Sequence, residues 1–332
     1  MGRFLDALAR RPVDRPPVWM AGQVGPYLPE HRALRTRVGA AAGRDPAVAA
    51  ELTAQPVRRF HFDAAPVFTD PSALLEAMGL DAGPEPMGLR DLAETIDLAV
   101  DRVGHVAETV RLVRAELPGD VAVVAVADAP TTLLARLLDG AEGLRLRRAM
   151  ALHRGLLREV LDRLAASIHG LLRVQIEAGA DAAQLLDPVA GTLPVASLRA
   201  RVFPAAAAAL RGLGVPTIYS AQGVHHGLEH LRTVYASCYG IDWRRPLVEV
   251  WAELGHDVAV HGNLEPAVLL TDPTTVAEET RRLLGAVGGR PGHVVDVGHE
   301  VDPSTPVENV AALVEAVRDG RPPPDRRPPR VG

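Results

Sequence analysis

VAVVAVADAP, residues 121–130, is an apolar run of strand length that stops at an aspartate and a proline. A run with no polar alternation describes a strand buried on both faces, the condition of a parallel sheet covered by helices. Six further runs share the pattern: PVWMAG (17–22), DAAPVFTD (63–70), DAAQLLDP (181–188), PTIYSAQG (216–223), DVAVHGN (257–263) and HVVDVGHE (293–300). ASCYGIDW (236–243) supplies a candidate eighth. Between them lie segments of helical periodicity, among them 95–117 and 147–179. Strand alternating with helix predicts an α/β protein, and eight strands favour a (β/α)8 TIM-type barrel, single domain, over an open sheet. No G-x-G-x-x-G follows the first run, which weakens the doubly wound alternative. The barrel is expected over 1–318. The Pro/Arg-rich tail DGRPPPDRRPPRVG (319–332) is expected to be disordered.

Composition narrows the chemistry. The chain has 332 residues, 47% hydrophobic and 23% charged, with a net charge of −5. No basic stripe carries interleaved aromatics, so neither nucleic acid nor an anionic membrane is an expected partner; a small molecule is. The single cysteine, Cys238, excludes an internal disulfide and a cysteine cluster for zinc, and reads as a small buried residue rather than a nucleophile. All 36 basic residues are arginine, which excludes Schiff-base and phosphate-loop lysine chemistry. The N-terminus lacks an export signal and no apolar run reaches about 18 residues, so a cytoplasmic location is expected.

In a barrel the carboxyl ends of the strands carry the chemistry. Here they deliver Gly22 and Gln23, Asp70, Asp128, Asp187, Gln222 with His225 and His226, His261 with Asn263, and His299 with Glu300. HHGLEH (225–230) contains H-x-x-E-H, which on one helix would pair His226 with His230 as metal ligands. The plainer reading is a polar helix start.

PVWMAGQVGPYLPEHRALR (17–35), DAAPVFTDPSALLEAMGL (63–80), HGNLEPAVLL (261–270) and GRPGHVVDVGHEVDPSTPVENVAALVEAV (289–317) together resemble the uroporphyrinogen decarboxylase family. The resemblance runs from about residue 15 to 318. It implies a homodimeric barrel without cofactor or metal that removes carboxylates from the four acetate arms of uroporphyrinogen III to give coproporphyrinogen III, in porphyrin biosynthesis. Such a reaction needs a protonated pyrrole as electron sink, an acid at the ring N–H groups and cations for the substrate carboxylates, a task that suits arginine.

By the resemblance, the active-site aspartate falls on Asp70 and the late histidine on His299, the two catalytic candidates. The first loop keeps Gln23 and Tyr27 as substrate-binding positions, but its two arginines are replaced by Gly22 and Pro26. The active-site tyrosine falls on Arg136 and the serine on Pro188; His261 stands where the family usually has glutamine. Arg136 restores a positive charge if it turns inward and is a solvated helix residue if it does not. Asp70 and His299 also have plainer roles, as a helix cap and a loop tie. Losing two contacts of about 1.5–3 kcal/mol each would cost roughly two to four powers of ten in binding or rate. The expectation is therefore a carboxy-lyase with an altered, acidic or pyrrolic substrate. The alternatives are a non-catalytic paralogue that binds a tetrapyrrole or a protein partner, and a metal-dependent enzyme using His226, His230, His261 and His299. Related cobalamin-linked methyltransferases use His-x-Cys-Gly where this chain has Ser220, Ala221, Gln222 and Gly223, which disfavours that branch.

Overall fold

The computed structural model describes residues 2–21, 25–80, 88–139, 144–298 and 300–320. Seven strands, β1 (Ala64–Phe68), β2 (Ala122–Asp128), β3 (Ala182–Asp187), β4 (Thr217–Ala221), β5 (Cys238–Gly240), β6 (Ala259–His261) and β7 (His293–Val294), pair in parallel in chain order. Each strand follows its neighbour through a helical crossover, so sequence order becomes order round the sheet. Ala64 lies opposite Ala122, Val124 opposite Ala182, Ile218 opposite Cys238 and Val260 opposite His293.

The segment 17–20 closes the ring. On one side the Trp19 N–H donates to Val295 O (3.2 Å) and the Val295 N–H to Pro17 O (2.8 Å); on the other the Asp63 N–H donates to Val18 O (2.9 Å). Of the expected first strand only Val18 keeps a ladder partner, Val295, because Pro16 and Pro17 have no N–H to give. A side-chain clasp compensates. The Asp63 carboxylate, 7% exposed, takes the Val18 N–H (2.8 Å) together with Arg3 Nη1 (2.7 Å) and Arg15 Nη1 (2.9 Å).

Alternation along the strands sorts the side chains into two cores. Inward-facing Trp19, Val124, Val126, Ile218, Cys238, Ala259 and Val294 form a dry inner core, stoppered from below by Phe4, Ala7 and Leu8 of α1 (Arg3–Leu8). The rings of Phe4 and Trp19 are 4.8 Å apart. Outward-facing Val123, Ala125, Leu185, Tyr219 and Val260 join the larger core beneath the helices. Nearer the carboxyl ends the inward positions become polar: Gln184, Ser220, His261 and Asp296.

The expected helix over 95–117 begins only at Gly104, because the Asp97 and Ala99 N–H groups bond Met78 O and Ala77 O at the end of the helix Pro71–Ala77. Asp187, at the end of β3, ties sheet to helix. It is fully buried and accepts from Thr132 Oγ1 (2.8 Å), on the helix Pro130–Asp139, and from Tyr219 Oη (2.9 Å). Among the described residues no helix is long and apolar enough to cross a membrane.

Two stability predictions follow from these contacts. Asp63→Ala removes the shared partner of two arginines that keep some solvent, so a loss of about 2–4 kcal/mol is expected. An unchanged denaturant midpoint would show that the ring closes without the clasp. Burial pushes the Asp187 carboxyl up to about 6 despite its two hydroxyl donors. A raised acid binds its proton more tightly in the folded state, so stability falls as pH rises from the ordinary value through about 6. Asp187→Asn should therefore stabilise the protein by about 2–3 kcal/mol at neutral pH and change little near about pH 4. Equal effects at both pH values would contradict this origin.

Candidate active site

Two connected cavities open at the carboxyl ends of the strands, sharing Asp128, Arg136, Leu186 and Glu300 as their common wall. The outer one, about 420 Å³, is lined by polar groups of both signs: Asp70, Asp128 and Glu300 against Arg35 and Arg136, with His31 beside them. The inner one, about 80 Å³, reaches down to Ser220, Gly240, His261 and Asp296.

Asp70 caps the helix Pro71–Ala77, accepting the Ala73 N–H on Oδ1 (3.0 Å), and its other oxygen stays on the cavity side. That oxygen lies so near the Gly43 backbone that a Cβ at 43 would stand 2.7 Å from it. Capping and cavity lining are thus two uses of one carboxylate.

Arg136 turns toward the rim. Its Nε donates to Asp128 Oδ2 (2.7 Å) although its side chain stays 49% exposed. Burial raises the Asp128 pKa, and Arg136 opposes the rise. Arg35, on α2 (Pro29–Val38), reaches the same cavity but was not among the sequence-derived candidates, because a periodic arginine on a polar helix carries no local signal. His31 lies one turn earlier; burial and then Arg35 push its pKa down to about 4, so it is neutral at pH 7. Pro26 and Pro188 line the cavities without contributing charge.

The inner cavity holds a hydrogen-bonded chain. Gln184 Nε2 donates to Ser220 Oγ (2.9 Å), Ser220 Oγ meets His261 Nε2 (2.7 Å), and His261 Nδ1 meets Asp296 Oδ2 (3.1 Å). His261 is 5% and Asp296 1% exposed. Burial raises the Asp296 pKa, against the bond from His261 and the N–H groups of Ala21 and Val297. Asp128, Ser220 and Asp296 carry chemistry that the strand-end reading registered only in part. Ser220 and Asp296 acquire meaning only when β4 to β7 are assembled in order, with the small Gly240 of β5 between Ser220 and His261.

Other candidates are placed differently. Tyr27 lines neither cavity: it is 1% exposed, packed on Phe60 with ring centres 6.2 Å apart. The first loop bends at Gly25, whose positive φ of 65° is followed by the Gly25 O to Leu28 N turn, and this swings the tyrosine into the helical core. Gln23 and His299 lie outside the described residues, as does the tail from 321 onward. His299's neighbours Gly298 and Glu300 line the inner cavity.

H-x-x-E-H does not form one helical face. His226 sits in a 3-10 turn, Val224–Gly227, with Nε2 on Leu193 O (2.8 Å), whereas His230 follows in a separate turn, Leu228–Leu231, and pairs with Glu229. His225 bonds Asp242, which also takes the Gly223 and Arg244 N–H groups. Burial favours a raised Asp242 pKa, but these donors overcome it and hold the carboxyl below its ordinary value. Among the described residues no group of three or more His, Cys, Asp or Glu is placed to hold a metal ion. Cys238 is buried in the inner core, and burial pushes its thiol pKa up.

The arrangement provides acids for a developing cation, arginines for carboxylates and a buried imidazole oriented by a carboxylate. A family model for uroporphyrinogen decarboxylase matches residues 1–320. The uroporphyrinogen decarboxylase of Roseiflexus sp. (strain RS-1) is 38% identical over 96% of this chain and 98% of that protein. That of Streptomyces avermitilis is 38% identical over 95% and 93%. A solved methyltransferase from Methanosarcina mazei shares the fold, with a TM-score of 0.80 at 22% identity over 96% of this chain and 97% of its own. With the model matched over nearly the whole chain and relatives above 30% identity, the chain belongs to the uroporphyrinogen decarboxylase family.

Proposed function

We propose that this chain is a carboxy-lyase acting in the outer cavity on a carboxylate-bearing pyrrolic compound of the uroporphyrinogen type, with a substrate preference altered by the replaced loop arginines. The observation that carries the reading is that Asp70 shares its cavity with two arginines from elsewhere in the chain, Arg35 and Arg136. Bidentate guanidinium contacts would hold substrate carboxylates there. The free oxygen of Asp70 would face the ring N–H groups and stabilise the cation formed when the pyrrole is protonated. The side-chain carboxylate then leaves as carbon dioxide, and a proton replaces it to leave a methyl group. His299 is proposed as the second catalytic residue, with Gln23 and His261 contributing to the substrate's surroundings. Homodimeric assembly and a cytoplasmic setting are part of the same reading.

Arg136 is held by Asp128, so a substrate carboxylate must compete with that pair. The cost falls on affinity and favours substrates with fewer carboxylates to clamp.

Anaerobic incubation with uroporphyrinogen III, then oxidation and chromatography, is expected to give porphyrins with stepwise fewer carboxyl groups. Asp70→Asn should lower kcat/KM by at least about a hundredfold. No product, beside an active relative that has both loop arginines, would rule out this substrate and leave the binding-only paralogue. Arg136→Ala should raise KM by roughly tenfold to a hundredfold, the value of one charged carboxylate contact. An unchanged KM would mean that Arg136 stays with Asp128 throughout.

A further inference from the structure

We propose that Ser220, His261 and Asp296 form an acyl-transfer triad, with Ser220 Oγ as nucleophile toward a small acyl ester admitted to the inner cavity. The proposal does not rest on the decarboxylation reading, and either can fail without the other.

The geometry sets the direction of each proton. Asp296 accepts the Val297 N–H (2.8 Å) and lies within 3.4 Å of the Ala21 nitrogen, an environment of donors that suits an ionised acceptor. Nδ1–H of His261 therefore points at Asp296 (3.1 Å), which leaves the Nε2 lone pair toward Ser220 Oγ (2.7 Å). Gln184 donates to the same Oγ (2.9 Å), so the hydroxyl proton is directed to the imidazole. The Trp19 ring, edge-on to His261 at 5.7 Å, fixes the imidazole from below. These are the relations of nucleophile, base and orienting carboxylate that activate a serine.

Position 240 supports the reading independently. A Cβ at Gly240 would stand 2.5 Å from His261 Nε2 and 2.6 Å from Ser220 Oγ. Only glycine leaves the space that this pair occupies, so β4, β5 and β6 together admit it. Ser220 is the half-buried member, and the fully buried His261 and Asp296 stand behind it. All three line the inner cavity.

In the reaction, Ser220 Oγ bonds to the ester carbonyl carbon as its proton passes to His261 Nε2. The carbon–oxygen bond to the leaving alcohol then breaks, and that alcohol takes the proton from His261. Water attacks the acyl-serine by the same path in reverse, giving the free acid and restoring the hydroxyl.

The test uses the full chain with p-nitrophenyl acetate and with diisopropyl fluorophosphate, read by intact mass and peptide mapping. A single adduct at Ser220 is expected. Ser220→Ala should remove it, and His261→Gln and Gly240→Ala should slow it by at least about a hundredfold. Asp296→Asn should lower the rate near neutral pH by on the order of 10² to 10⁴ and leave a residual rate that climbs with hydroxide, a changed profile that lost packing would not produce. Circular dichroism and melting establish that each variant is folded. Ser220→Cys gives a second readout, iodoacetamide alkylation that depends on His261. Folded protein that takes no adduct at position 220 from any of these reagents, or that reacts equally with His261 replaced, overturns the triad.

Discussion

Closure of the barrel at Asp63 is the constraint on which the site depends. The segment 17–20 begins with Pro17, directly after Pro16, and has too few N–H donors to hold two sheet edges by backbone alone. One carboxylate, shared between the Val18 N–H, Arg3 and Arg15, supplies the missing bonds and brings α1 under the barrel. The same closure presses Val295 against Val18 and sets Asp296, the next inward residue, beside Ala21 and His261. A bond at the amino-terminal end of the strands thereby fixes the registry of polar groups at the other end.

The first loop alone reads as a lost carboxylate clamp because sequence shows which residues a loop lacks and not which distant cations line the same cavity. Helix α2 starts immediately beyond that loop and carries Arg35 back to the cavity; the helix Pro130–Asp139 carries Arg136 to it from the other side. These two cations sit on helices rather than on a loop and share the cavity with Asp70, Asp128 and Glu300. A cleft already balanced in this way attracts an anionic ligand less strongly at long range than an uncompensated arginine pair.

The fold was legible because period-free apolar strands ending in Asp, Gln or His repeat through the chain, and that pattern survives any change of chemistry. Even ASCYGIDW (236–243), the candidate eighth run, supplies β5 at Cys238–Gly240. The candidate site was legible only where one residue carries its own signal: Asp70 just beyond β1, and His261 at the end of β6. Arg35 lay hidden in a polar helix, and Ser220 and Asp296 are ordinary residues until the 2.7 Å and 3.1 Å contacts join them to His261. Tyr27 misled because a loop motif does not specify which way a ring turns; Phe60 and the turn at Gly25 decide that.

A polar layer inside a barrel is costly, since an unpaired buried hydroxyl, amide or carboxylate forfeits roughly 1–3 kcal/mol or more. Apolar residues at 220, 261 and 296 would extend the dry core formed by Ile218, Ala259 and Val294 one layer upward at no such cost. The chain instead keeps Gln184, Ser220, His261 and Asp296 mutually bonded, and keeps glycine at 240 to make room. Four side chains and one absent side chain, from five different places in the sequence, are needed together. Stability does not require that arrangement, whereas a nucleophile with a directed proton does.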